Sequence, residues 1–182
     1  MLTYLSMLRG INVGGQNKIK MEELKSLYES LGFKNIRTYI QSGNVIFGSA
    51  GKDTKELSNL IEEKIKEVFR LSVSVLLRTP AELQHIIDAN PFINDKHIDT
   101  GKLYITFLSI APKASALSEM KEIRGDPDKF YIVDREIYLY CPDGYGRTKF
   151  SNDFFERKSG IAATTRNWKL VNTLLEMTRD QE

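Results

Sequence analysis

One cysteine and two histidines among 182 residues leave little material for disulfides, thiol chemistry or a metal centre. Cys141 alone can close no internal disulfide, which suits a reducing compartment. Neither His85 nor His97 stands at ligand spacing from a second donor, so no zinc site is expected. There is no apolar run of membrane-spanning length. The opening Met1-Leu2-Thr3-Tyr4 lacks the basic segment and small-residue cleavage site of a signal peptide. These absences predict a soluble protein of the cytoplasm with no membrane partner. A strong charge of one sign is missing too: at a net +2 the whole chain is not marked as a polyanion binder, so any such role needs a local concentration of charge. What is present, 41% hydrophobic and 27% charged residues, is the composition of a folded globular chain.

The apolar pattern predicts a strand from Leu2 to Arg9, then a polar, glycine-rich loop through Gly14, Gly15, Gln16 and Asn17. Met21, Leu24, Leu27, Tyr28 and Leu31 recur at helical spacing, with Gly32 as the stop. Ile36–Ile40 and Asn44–Phe47 read as a hairpin around Ser42-Gly43, and Asp53 caps a helix carrying Leu57, Leu60, Ile61, Ile65 and Val68. With Val73, Val75 and Leu77 as a fourth strand, the order is β-α-β-β-α-β, a ferredoxin-like unit. Thr79-Pro80-Ala81-Glu82 then starts a helix with a capping box and proline at its first position. A second series follows: strand 103–110, helix 115–124, strands 130–133 and 137–140, and helices from about Ser151 and Thr165. The expected fold is α+β with two ferredoxin-like halves, residues 1–78 and 79–182, the second imperfect because two helices replace its last strand.

Three polar segments are the candidates for chemistry. Arg9-Gly10-Ile11-Asn12-Val13-Gly14-Gly15 lies between a strand and a helix, where free N–H groups can converge on a phosphate. However, Gln16-Asn17 stands where a P-loop needs Lys-Ser/Thr, and Asn12 where a dinucleotide fingerprint needs glycine, which excludes both ordinary motifs. A bland tight turn at Gly14-Gly15 is at least as good a reading of those two glycines. The second segment is Gln41-Ser42-Gly43-Asn44, more polar than a hairpin requires. In the third, Tyr145–Lys169, six basic residues face only Asp153 and Glu156, with Tyr145, Phe150, Phe154, Phe155 and Trp168 interleaved. The aromatics are expected in the core. Thr165 and Arg166, read as the first turn of the last helix, would combine side-chain charge with the helix N-terminus.

Catalysis has little support. Cys141 has no histidine near it in sequence, so a buried, inert thiol is expected. Asn, Gln, Ser and Arg are able to stabilise an oxyanion, but no general base accompanies them.

The three segments together, Leu8-Arg9-Gly10-Ile11-Asn12-Val13-Gly14-Gly15, Tyr39-Ile40-Gln41-Ser42-Gly43-Asn44-Val45-Ile46-Phe47 and Tyr145-Gly146-Arg147 through Thr164-Thr165-Arg166-Asn167-Trp168, strongly resemble the bacterial family of conserved hypothetical proteins called domain of unknown function 1697. The resemblance implies a two-part α+β fold with ferredoxin-like halves. It implies no activity and no catalytic residues. It marks Arg9, Asn12, Gln41, Ser42, Asn44, Arg147, Asn152, Arg166 and Asn167 as signature positions.

The leading expectation is a site for an anionic, phosphate-bearing ligand such as a nucleotide, in a cleft between the halves. Arg9, Arg147 and Arg166 would hold the anion, while Asn12, Gln41, Ser42 and Asn44 orient the rest. Lys149, Asn152, Thr165 and Asn167 complete the candidate set. The alternatives are an RNA or single-stranded nucleic-acid module, suggested by the basic and aromatic C-terminal stretch, and a protein–protein surface without catalysis.

Overall fold

The computed structural model describes residues 1–51 and 53–179. The element order is β1 (Leu2–Leu8), α1 (Met21–Ser30), β2 (Lys34–Tyr39), β3 (Asn44–Ser49), α2 (Thr54–Phe69), β4 (Val75–Arg78), α3 (Pro80–Asp88), β5 (Leu103–Leu108), α4 (Ala114–Glu122), β6 (Lys129–Val133), β7 (Glu136–Tyr140), α5 (Asn152–Ser159), β8 (Ala163–Asn167) and α6 (Trp168–Arg179). The strands form two four-stranded antiparallel sheets, ordered β2-β3-β1-β4 and β6-β7-β5-β8. The chain forms two compact units: Met1–Gln84 together with the C-terminal residues from Leu174, and His85–Thr173.

The α+β fold with two ferredoxin-like units agrees with the expectation, and one detail is corrected. The second unit does not give up its fourth strand. Ala163–Asn167 pairs with β5 over five positions, from Tyr104↔Asn167 to Leu108↔Ala163, so both units run β-α-β-β-α-β in the same spatial order. Thr164 and Thr165 are β-branched and pair with Phe107 and Thr106 of β5, while the strong helical stripe that immediately follows masks the strand in the sequence. Asn167 is both the last strand residue and the cap of α6, its Oδ1 accepting from Leu170 N at 2.8 Å.

In the first unit α1 and α2 cover one sheet face. Tyr4, Leu8, Val45, Phe47 and Leu77 bury themselves there against Leu24, Tyr28, Leu57 and Ile61. Phe47 stands at the centre, 4.5 Å from the ring of Phe33 and 5.3 Å from that of Tyr28. Burial also covers a polar pair in this layer. Ser6 Oγ donates to Val45 O at 3.2 Å, so the 2.7 Å contact with Tyr28 is a bond from the phenol, whose pKa burial pushes well up.

In the second unit the corresponding layer is Leu108, Ile137, Leu139 and Ala163 against Met120 and Phe155. Phe150 and Phe155 are buried and Phe154 is packed beside them, the core placement expected for those rings. Local signals hold as well. Thr79 and Glu82 close a reciprocal capping box, Thr79 N donating to Glu82 Oε2 at 2.7 Å and Glu82 N to Thr79 Oγ1 at 3.3 Å.

Candidate functional site

The glycine-rich loop after β1 is a miniature hairpin. Val13 and Gln16 form an antiparallel bridge, Gln16 N donates to Val13 O at 3.0 Å, and Asn12 N donates to Asn17 O at 3.2 Å. Gly14 and Gly15 between them have φ of +59° and +76°, the pair of left-handed positions that a two-residue hairpin turn demands. The glycines therefore serve a tight turn, and the ribbon points into solvent with Val13 exposed.

Asn12 joins this ribbon to the β2–β3 turn. Its Nδ2 donates to Ile19 O and to Gln41 O, each at 2.9 Å, and its Oδ1 accepts from Ile19 N at 2.9 Å. Every part of the amide is committed, so Asn12 is a clamp that brings the two signature segments together at one end of the first sheet. Asn44 is likewise internal: it is buried, and its Nδ2 donates to Ser42 Oγ at 2.8 Å and Tyr39 O at 3.3 Å. What the clamp presents outward is Gln41, exposed, with Ser42 and Arg9 half-buried. Arg9 is anchored by its backbone N–H, which donates to Ser74 O at 2.9 Å. Between Tyr39 and Gln41, Ile40 is held at φ +50° and exposed, an unusual conformation for a β-branched residue.

The candidates of the second unit divide differently. Thr165 is the centre of a hydroxyl cluster on β8. Its Oγ1 donates to Asn152 Oδ1 at 2.7 Å and accepts from Tyr145 OH at 3.1 Å. Its one proton being spent on Asn152, the 2.7 Å contact with Thr106 Oγ1 is a bond donated by Thr106. Arg166 lies on the opposite face of β8 and is buried, NH1 donating to Thr164 Oγ1 at 2.8 Å and Thr165 O at 2.9 Å. Burial lowers its pKa to about 10, with Tyr145 opposing the shift, and at neutral pH it remains a cation. Thr165 and Arg166 are strand residues, so neither takes the expected place in the first turn of the last helix. Arg147 and Lys149 are exposed, and Lys149 Nζ donates to Arg124 O at 3.1 Å while lying 5.2 Å from the centre of the Phe150 ring.

One buried cation had no signal in the sequence. Arg78 on β4 is 1% exposed, with NH1 donating to Leu77 O at 2.8 Å. It pairs in register with Leu5 as Arg166 does with Ile105, so the fourth strand of each unit buries an arginine on the sheet face opposite α1 and α2 in the first unit and opposite α4 and α5 in the second. Val75-Leu76-Leu77-Arg78 reads as a strand ending in a solvated charge, and only the double-sided burial of β4 reveals otherwise.

Cys141 is fully buried, and burial pushes its thiol up to about 11, Asp128 adding to the shift and the Thr148 hydroxyl opposing it. At pH 8 the thiolate fraction is then about one in a thousand, against roughly a quarter for a free thiol. In Ellman's assay the native protein is expected to leave Cys141 unmodified, with one equivalent reacting on denaturation. Rapid native labelling would contradict this placement. Among the described residues no group of three or more His, Cys, Asp or Glu side chains could hold a metal ion, and no helix is long and apolar enough to cross a membrane.

The fold and this arrangement define a protein of two ferredoxin-like units with polar loops at the end of the first sheet. The chain belongs to the family described as "Protein of unknown function (DUF1697)", whose model matches residues 1–138 and thus the first two signature segments. The third segment lies beyond the matched residues. Among solved structures the chain is similar to the conserved bacterial protein SP0830 from Streptococcus pneumoniae, at 21% identity and a TM-score of 0.73, covering 97% of this chain and 98% of that one. That likeness establishes the shared fold. No curated protein matches.

Proposed function

We propose that the protein binds a small anionic, phosphate-bearing ligand of the nucleotide type at the loop end of its first unit. Arg9 supplies the charge, and Gln41 and Ser42 supply hydrogen bonds. The observation that carries this reading is the Asn12 clamp, whose amide is held at both ends by Ile19 and ties the Arg9 loop to the β2–β3 turn through Nδ2 and Gln41 O. A side chain fixed twice to Ile19 and once to Gln41 O, next to an isoleucine held at φ +50°, is more than a connection between strands needs. Arginine suits the bidentate geometry of a phosphate, and neutral amide and hydroxyl groups beside it add direction without further charge.

A thermal-shift panel of nucleoside mono- and diphosphates, pyrophosphate and sulfate tests the proposal. A ligand present at 100 times its Kd stabilises the fold by about 2.7 kcal/mol. The expected result is a shift with at least one phosphate-bearing compound that disappears in Arg9→Ala and shrinks in Gln41→Ala, each measured from that variant's own unliganded melting temperature. No shift with any compound, or an equal shift in Arg9→Ala, would remove the reading. Binding of single-stranded RNA that weakens steeply with salt and resists competition by nucleotides would replace it with the nucleic-acid alternative.

A further inference from the structure

We infer that the outer edge of β6 in the second unit is a docking strand for an acidic, extended peptide segment of a partner protein. Among the described residues β6 pairs with β7 alone, in continuous register from Lys129↔Tyr140 to Val133↔Glu136, so its other side is an open edge. Such edges are templates for strand addition unless something guards them. Burial alternates along the strand: Lys129, Tyr131 and Val133 point outward, Tyr131 53% and Val133 41% exposed, while Phe130 and Ile132 pack inward.

The edge strand β2 of the first unit holds the equivalent place and is guarded. Its register shifts between Lys34 and Arg37, Asn35 sits at φ +52°, and Arg37 NH1 donates to Met177 O at 3.3 Å. A bulge of this kind blunts an edge against pairing. No such irregularity interrupts β6.

Charge selects the occupant. A groove of about 560 Å³ runs beside β6, and its charged lining is Lys121, Arg124 and Lys129 against the single carboxylate of Asp128. That carboxylate is already engaged, accepting from Thr148 Oγ1 at 2.6 Å. A second copy of this chain would bring the same cations toward this groove, whereas a strand bearing alternate acids would neutralise them. Main-chain hydrogen bonds to the edge would give affinity. Valine-sized side chains meeting Tyr131 and Val133, and carboxylates meeting the cations, would give specificity.

The test is fluorescence anisotropy with a labelled octapeptide of alternating glutamate and valine, together with hydrogen exchange. Expected are saturable binding, slowed exchange of the β6 amides, and affinity at least about tenfold weaker for the Arg124→Glu/Lys129→Glu variant. Both positions are exposed, and an unchanged melting temperature confirms that the variant is folded. A lysine–valine octapeptide should not bind. The same acidic peptide N-methylated at every residue should fail as well, since neither of its edges then has an N–H to donate to the ladder. Equal binding of the N-methylated peptide would reduce the interaction to ionic attraction and overturn strand addition. Absence of binding at about 1 mM peptide would overturn the proposal outright. So would protection, without peptide, of the β6 amides that face away from β7 in a protein that sediments as a dimer, because the edge would then belong to a second copy.

Discussion

Replacing Asn12 by aspartate, a change of one NH2 group for one oxygen, is expected to destabilise the first unit by about 2–3 kcal/mol. The native amide donates to Ile19 O and Gln41 O and accepts from Ile19 N. The aspartate keeps the acceptor and loses both donors, so two carbonyl oxygens face a carboxylate oxygen instead of a hydrogen. Because these bonds define which atom is Oδ1 and which Nδ2, no flip of the side chain rescues the variant. Those surroundings favour the protonated acid, which raises the folded pKa above the unfolded value. The penalty is therefore present above that folded pKa. It shrinks as pH falls through it toward about 4, where an O–H can again donate to one carbonyl. Urea unfolding of both proteins at pH 7 and near pH 4 measures this. A gap that stays constant or widens at low pH would show that the clamp is not the cause.

Gly43→Ala is expected to be at least as damaging, at about 2–5 kcal/mol. Its φ of +72° carries a penalty of about 1–2 kcal/mol for any residue with a Cβ. The added carbon would also stand 2.7 Å from Ile11 Cδ1 and 2.8 Å from Leu8 Cβ, both on buried residues with no room to withdraw, which costs about 1–3 kcal/mol more. Gly15→Ala separates the two contributions. Its φ is +76° but nothing lies within 4 Å of the new Cβ, so only the backbone penalty should appear. The measurement is the urea midpoint of the three proteins, and equal losses at both glycines would refute the close approach of Gly43 to the β1 end. Asn12→Asp and Gly43→Ala also bear on the candidate site, since Gln41 O is one of the atoms held by Asn12 and Gly43 O accepts from Leu8 N at 2.9 Å.

Much of this architecture was legible in the chain because local chemistry and tertiary structure agree. The Thr79–Glu82 box, the Asp53 cap and the apolar stripes of α1 and α2 each carry a local signal that the fold leaves intact. The strand β8 was hidden for a physical reason. Strand passes into helix at Asn167 without a turn, so no glycine or proline separates Thr164-Thr165-Arg166 from the stripe of Val171, Leu174 and Leu175. At the candidate site, the sequence brought the polar segments into view but could not sort clamp from contact. Asn12, Asn44 and Gln41 look equally polar in a row of letters. Only the hydrogen-bond geometry shows that the first two are spent internally and the third faces water. Arg78 and Arg166 mark the opposite limit, since an arginine's burial depends on what covers both sides of its strand.

The seclusion of Cys141 has a practical side. With the chain's one native thiol out of reach of labelling reagents, Gln41→Cys or Tyr131→Cys would create a uniquely reactive position without any prior cysteine removal. A fluorophore attached at either residue would report, in the otherwise unaltered protein, whether the loop end or the strand edge is the one that a ligand occupies.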